Sequence, residues 1–218
     1  MRRAATLDAV LAAYAAAWPG TDPTPIRRAH QEAARWYRGR YRRSGHPYLT
    51  HPVAVAATVA RLGADRDVVC AALLHDVPAT PTALGRVATL FGERVADLVS
   101  GLERLDEHRP EFAGATTAPR DVLLLKLADR LHNLRTLRYL PIAKQLRKSE
   151  ETRRLLVPLA RRLGLNALGR ELDRLALDVL RGPSASRRRP ASRLLTAAVV
   201  LLPGPARARW AEEWVGEL

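Results

Sequence analysis

Cysteine occurs once, at position 70, and a single thiol excludes both an internal disulfide and a cysteine-rich zinc centre. Cys70 lies in an apolar run and is expected to be a buried structural thiol. Lysine is nearly as scarce: it stands only at 126, 144 and 148, so arginine carries almost all of the formal net charge of +14. An alanine- and arginine-heavy, lysine-poor chain reads most simply as coding bias. The alternative is a positive field that draws polyanions such as nucleotides. No DNA- or RNA-reading module is recognisable, so no specific nucleic-acid partner is expected. No apolar run reaches the ~18 residues that a spanning helix needs. Asp8 and the shortness of the first apolar stretch argue against a secretory signal, and the chain reads as cytoplasmic. Strand signals are also scarce, because apolar residues recur at i, i+3 and i+4 rather than in alternation.

What is present is enough for one sizeable helical core. Helices are expected at about 5–17, 26–40, 52–62, 66–77, 82–104 (with a break near Phe91-Gly92), 120–139, 144–163 and 167–181. Residues 42–50 and 106–119 read as loops. In the helix at 120–139, Lys126, Asp129, Asn133 and Thr136 share one face, and Leu124, Leu127, Leu131 and Leu134 share another. That pairing of stripes places Asp129 at the rim of a pocket. Pro78 stops the helix before it, so His75 and Asp76 are expected where a helix ends.

Two imidazoles and two carboxylates stand out by local context: His51 in HPYLTHP, His75 and Asp76 in CAALLHDV, and Asp129 in LLLKLADRLHNLRTL. Such a mixed nitrogen and oxygen donor set suits one divalent transition metal. A metal of that kind polarises a phosphoryl oxygen and lowers the pKa of water near it. The pattern therefore points to phosphate-ester hydrolysis.

With these segments in view, the chain resembles the HD superfamily of metal-dependent phosphohydrolases. It is most similar to the hydrolase domain of the RelA/SpoT homologue family, including its small stand-alone alarmone hydrolases. The blocks that carry the resemblance are RRSGHPYLTHP (42–52), AALLHDV (71–77), LFGERVADLVSGLERL (90–105), KLADRLHNLRTLRYLP (126–141) and VPLARRLGLNALGRELDRLALDVL (157–180). The resemblance implies an all-α HD-domain bundle over residues 25–181, preceded by a helical extension at 1–24 and followed by a tail at 182–218. It also implies hydrolysis of the 3′-pyrophosphate of guanosine tetra- and pentaphosphate. Mn2+ would be held by His51, His75, Asp76 and Asp129, with Asp76 also helping to activate water. By the same resemblance Arg42 stacks on the guanine, Arg43 and Ser44 line its pocket, and Asn133 and Thr136 contact the nucleoside. No nucleotide-synthetase domain is expected within 218 residues.

One departure cuts across the match. Hydrolase-competent members follow His-Asp, two residues on, with a Glu-Asp pair that handles protons. Here Ala79 and Thr80 occupy those positions. A positioned acid or base contributes about 10²–10⁴ in rate, whereas the metal contribution does not require that pair. Asp106, Glu107 and Glu111 are candidate stand-ins. The readings left open are a hydrolase of weakened or altered activity and an inactive alarmone-binding regulator. A third is a scaffold whose function resides in the tail. That tail joins a Gly/Pro/Ser/Arg linker (182–192) to an apolar stretch (194–204). It ends in an amphipathic helix (206–218) carrying Trp210, Trp214 and Leu218, suited to docking on the domain, a second copy, a partner or a membrane surface.

Overall fold

The computed structural model describes residues 5–107 and 118–182. Among them every regular element is helical, and the β contact is an isolated antiparallel bridge between Tyr41 and Pro47. The all-α expectation therefore holds for the described chain. The elements run α1 (Leu7–Ala17), α2 (Thr24–Trp36), α3 (Thr50–Arg61), α4 (Arg66–Leu74), α5 (Pro81–Phe91) and α6 (Glu93–Glu107). They continue with α7 (Arg120–Arg135), a 3-10 turn (Leu137–Tyr139), α8 (Ile142–Glu151), a π turn (Thr152–Leu156), α9 (Val157–Arg162) and α10 (Asn166–Leu180). The expected tail elements, with Trp210, Trp214 and Leu218, lie outside the described residues, as does Glu111.

Local chemistry explains the boundaries. Asp65 caps α4 by accepting from the amides of Asp67 and Val68. The helix ends at Leu74, three residues before the expected stop. Pro78 lacks an N–H and disfavours helical geometry at Val77, whose amide instead donates to Leu74 O at 2.9 Å. His75 and Asp76 therefore sit just past the last turn. Gly92, at φ +95°, supplies the expected break between α5 and α6. α7 stops at Arg135 rather than 139, where the Thr136 hydroxyl donates to the carbonyls of His132 and Asn133. The helix expected over 144–163 divides because Pro158 cannot donate to the carbonyl four residues earlier, and the wider π turn absorbs the mismatch.

Two apolar clusters hold the bundle together. The first joins Val10, Leu11 and Tyr14 of α1 with Ile26 and Ala29 of α2 and with the small, almost wholly buried residues of α3 and α4. Alanine and valine at Val55, Ala56, Val59, Val69, Ala71 and Ala72 let these helices approach closely. The second cluster packs Leu156, Leu159, Leu168 and Leu172. α7 runs between them: Val122, Leu125 and Ala128 face the first, and Leu123, Leu127, Leu131 and Leu134 face the second. Leu124 belongs to the first cluster, so the apolar surface of α7 is two faces, wider than a single stripe. What remains is a narrow polar strip that carries Lys126, Asp129, Arg130 and Asn133.

Candidate functional site

Three junctions of the bundle converge on one point. The first turn of α3 carries His51, the end of α4 carries His75 and Asp76, and the polar strip of α7 carries Asp129. Nε2 of His51 lies 3.2 Å from Nε2 of His75, 3.4 Å from Oδ2 of Asp76 and 3.2 Å from Oδ1 of Asp129. Nε2 of His75 lies 3.4 Å from the same Asp76 oxygen and 3.9 Å from the same Asp129 oxygen. Bonds of about 2.1 Å to a common cation put neighbouring donors about 3.0–3.4 Å apart, so the spacing of His51, His75 and Asp76 fits a single divalent ion, while Asp129 lies against His51 and stands farther, at 3.9 Å, from His75. The protonation pattern agrees. His75 Nδ1 donates to Ala72 O at 2.9 Å, so in the neutral ring it is Nε2 that offers a lone pair toward two carboxylate oxygens and another imidazole nitrogen. Lone pairs crowded in this way repel one another unless a cation lies between them.

Other side chains hold the donors. The Tyr48 hydroxyl donates to Asp76 Oδ2 at 2.9 Å, and its ring meets His51 edge-on. Asn133 Nδ2 donates to Asp129 Oδ1 at 2.7 Å, and Arg42 Nη2 donates to Asn133 Oδ1 at 3.0 Å. His51 Nδ1 lies 2.8 Å from His132 Nδ1. Burial depresses the His51 imidazole and keeps it neutral. Burial alone would raise the Asp129 carboxyl, but its close polar contact with His51, with Lys126 and His75 nearby, sets it below the carboxylate range. Burial, with His51 and Arg42 nearby, brings His132 down to about 3.

The donors lie in a cavity of 460 Å³, within the size range of small-molecule sites. A turn at Arg42–Gly45 forms one part of its wall. Gly45 sits at φ +78° and donates its amide to Arg42 O, a left-handed geometry that presents Arg42, Arg43 and Ser44 to the opening. Thr136 lines the same cavity, so all nine residues picked out in the sequence are near it: eight line it and His75 stands directly behind. The lining otherwise includes Lys126, Arg130, Lys144 and Lys148, giving with Arg42 and Arg43 six cationic side chains, of which Arg130 is paired with Glu151 at 2.7 Å, beside the carboxylates of Asp76 and Asp129. Such a balance draws phosphorylated ligands.

Sequence reading passed over Tyr48, His132, Lys144 and Lys148. A signal for the lysines was available: all three lysines of an arginine-rich chain line this one cavity. The Thr80 hydroxyl caps α5 by accepting from the Ala83 amide at 3.3 Å. Neither Ala79 nor Thr80 lines the cavity. Cys70 is buried as expected, and burial pushes its thiol up to about 12. Among the described residues no helix is long and apolar enough to cross a membrane.

Comparison with known proteins gives a consistent picture. The chain is 46% identical over 167 residues to a GTP pyrophosphokinase of Streptomyces coelicolor, covering 71% of this chain and 20% of that protein. It is 39% identical over 168 residues to the bifunctional (p)ppGpp synthase/hydrolase SpoT of Escherichia coli K12, covering 71% of this chain and 24% of that protein. The chain thus spans about a quarter or less of the length of these relatives. Among solved structures, a metazoan ortholog of SpoT that hydrolyses ppGpp matches with a TM-score of 0.52 and 26% identity, covering 74% of this chain and 96% of that one. The sequence model of the HD domain matches residues 29–120 and 113–166. With that match running through more than half its length, the chain belongs to the HD domain family.

Proposed function

We propose that this protein is a Mn2+-dependent phosphohydrolase that removes the 3′-pyrophosphate of a guanosine alarmone, at a rate reduced by the missing acidic pair. One observation carries the reading: His51, His75, Asp76 and Asp129 gather at a cavity whose other charged lining residues are cationic. Relatives named guanosine-3′,5′-bis(diphosphate) 3′-pyrophosphohydrolase, such as that of Escherichia coli O157:H7 at 39% identity, support the choice of substrate.

His51, His75, Asp76 and Asp129 would hold the ion. When bound, Mn2+ would supply Lewis acidity toward a phosphoryl oxygen and toward water. The chain's own residues do the rest. Asp76 accepts from Tyr48 through Oδ2, so the carboxylate is fixed in direction and its other oxygen would take a hydrogen bond from attacking water. Lys126, 2% exposed, would place positive charge near Asp129, where negative charge grows as the phosphoryl group is attacked, whereas the Arg130 guanidinium is held by Glu151 and Thr152. Lys144 and Lys148, also on the cavity wall, would face the other phosphates. Arg42 would stack on the guanine, Arg43 and Ser44 would edge that face, and Asn133 and Thr136 would meet the nucleoside. The bond to the 3′ oxygen breaks, pyrophosphate departs, and a proton must reach the 3′ oxygen. No described lining residue with a carboxylate other than Asp76 and Asp129 is at hand for that proton, which is why the rate is reduced. Asp106, Glu107 and Glu111 remain the stand-ins proposed for it. A cytoplasmic location suits the substrate.

The same missing pair favours a second reading, an alarmone-binding regulator without turnover. Incubating the purified chain with guanosine tetraphosphate and Mn2+, beside a His75→Ala control, separates the two. Product above the control supports the hydrolase. Tight calorimetric binding without product supports the regulator, and neither result leaves the alarmone reading without support.

A further inference from the structure

His51 offers both ring nitrogens to other side chains. Nε2 faces His75 and Asp129, each at 3.2 Å, while Nδ1 lies 2.8 Å from Nδ1 of His132. Two imidazole nitrogens that close share a single proton, with one ring donating and the other accepting. The direction of that bond decides what His51 can do. If His132 donates, a neutral His51 carries its own proton on Nε2, aimed into the donor cluster, and the lone pair needed there is gone. If His51 donates, its Nε2 lone pair faces the cluster.

We infer that His132 is a positioning residue, accepting the Nδ1 proton of His51 and so holding His51 in the tautomer that ligates through Nε2. The inference rests on the metal reading proposed above. The neighbouring imidazole uses the same device with a simpler partner. His75 Nδ1 donates to the Ala72 carbonyl, which can only accept, and its Nε2 points inward. Each candidate imidazole ligand is therefore tethered at Nδ1 and open at Nε2. His132 reaches its place through helix periodicity: it lies three residues after Asp129 on α7, so one helical turn delivers a ligand and the partner of another ligand. Its ring is tilted 47° to that of His51, with centroids 4.8 Å apart, and it does not line the cavity. It acts through His51 and not on substrate.

The test is Mn2+ binding by the full chain, read by calorimetry. His132→Leu fills the space without an acceptor and should weaken binding about 10–100-fold, the usual effect of losing such a partner. His132→Asn can place its Oδ1 where Nδ1 stood and should recover most of that loss, which a merely space-filling role would not produce. Nitrogen-15 spectra of the unaltered chain with Zn2+, a diamagnetic probe, should show the His51 proton on Nδ1 and coordination at Nε2. Leu-variant binding equal to that of the unaltered chain, an Asn variant as weak as Leu, or a shared proton resident on His132 would each overturn the inference while leaving the metal reading intact. An unaltered chain that takes up no Mn2+ overturns both. If His132→Leu fails to fold, the Zn2+ spectra decide.

Discussion

Arg42 and Asn133, ninety-one positions apart in sequence, are joined by a 3.0 Å hydrogen bond from Nη2 to Oδ1. The amide of Asn133 passes the contact on to Asp129. The arginine proposed to meet the base and the carboxylate proposed to meet the metal therefore share one side chain.

Replacing Asn133 by Ala removes the donor to Asp129 Oδ1 and releases Arg42. Mn2+ affinity, or turnover at limiting Mn2+, is expected to fall about 10–100-fold. Arg42→Ala leaves the amide on Asp129 in place, so its effect should fall on KM for the nucleotide more than on Mn2+ affinity. Parallel Mn2+ and nucleotide titrations of the two variants check this. Equal effects of both variants on Mn2+ affinity would contradict the division of roles.

Restoring the acidic pair, Ala79→Glu with Thr80→Asp, should raise turnover of guanosine tetraphosphate by about 10²–10⁴. Thr80 caps α5, and aspartate is an equally good cap, so the helix should be unharmed. A double variant that folds, binds the nucleotide and turns it over no faster than the unaltered chain would mean that proton transfer is not what limits this site.

The sequence made the four donors legible because each sits in a distinctive short context, and helix periodicity placed Asp129, Asn133 and Thr136 on one strip. Other features needed three dimensions. The tether between His51 and His132 depends on two rings meeting across the α3–α7 contact, and no spacing rule announces that. Tyr48 lies three residues before His51, yet its partner is Asp76 on another element. The uninterrupted helix expected over 144–163 failed because apolar periodicity continues across Pro158, so the pattern gave no warning of the π turn. The scarcity of lysine was visible from the start, but its meaning became plain only when all three lysines lined one cavity.

Away from the cavity, Glu32 is buried at 4% exposure and bonded by Arg86 and Arg35. The Arg86 hydrogen bond, outweighing burial, holds its carboxyl below the usual value. A folded-state pKa below the unfolded one means the contribution to stability is complete above the unfolded value, about 4.3, and is lost as pH falls through the folded value. Glu32→Gln should therefore cost on the order of 1 kcal/mol at neutral pH, since both arginines are partly solvated. The gap between the two proteins should close in acid. Thermal unfolding across pH 2–8 (about the range in which carboxylates titrate) checks this, and a gap that widens on acidification would reverse the sign.

Anomalous diffraction from crystals grown with Mn2+ addresses the central claim most directly. One Mn peak is expected, about 2.0–2.2 Å from His51 Nε2, His75 Nε2, Asp76 Oδ2 and Asp129 Oδ1. Crystals soaked to saturation that show no peak among these atoms, or a metal held elsewhere in the molecule, would contradict it.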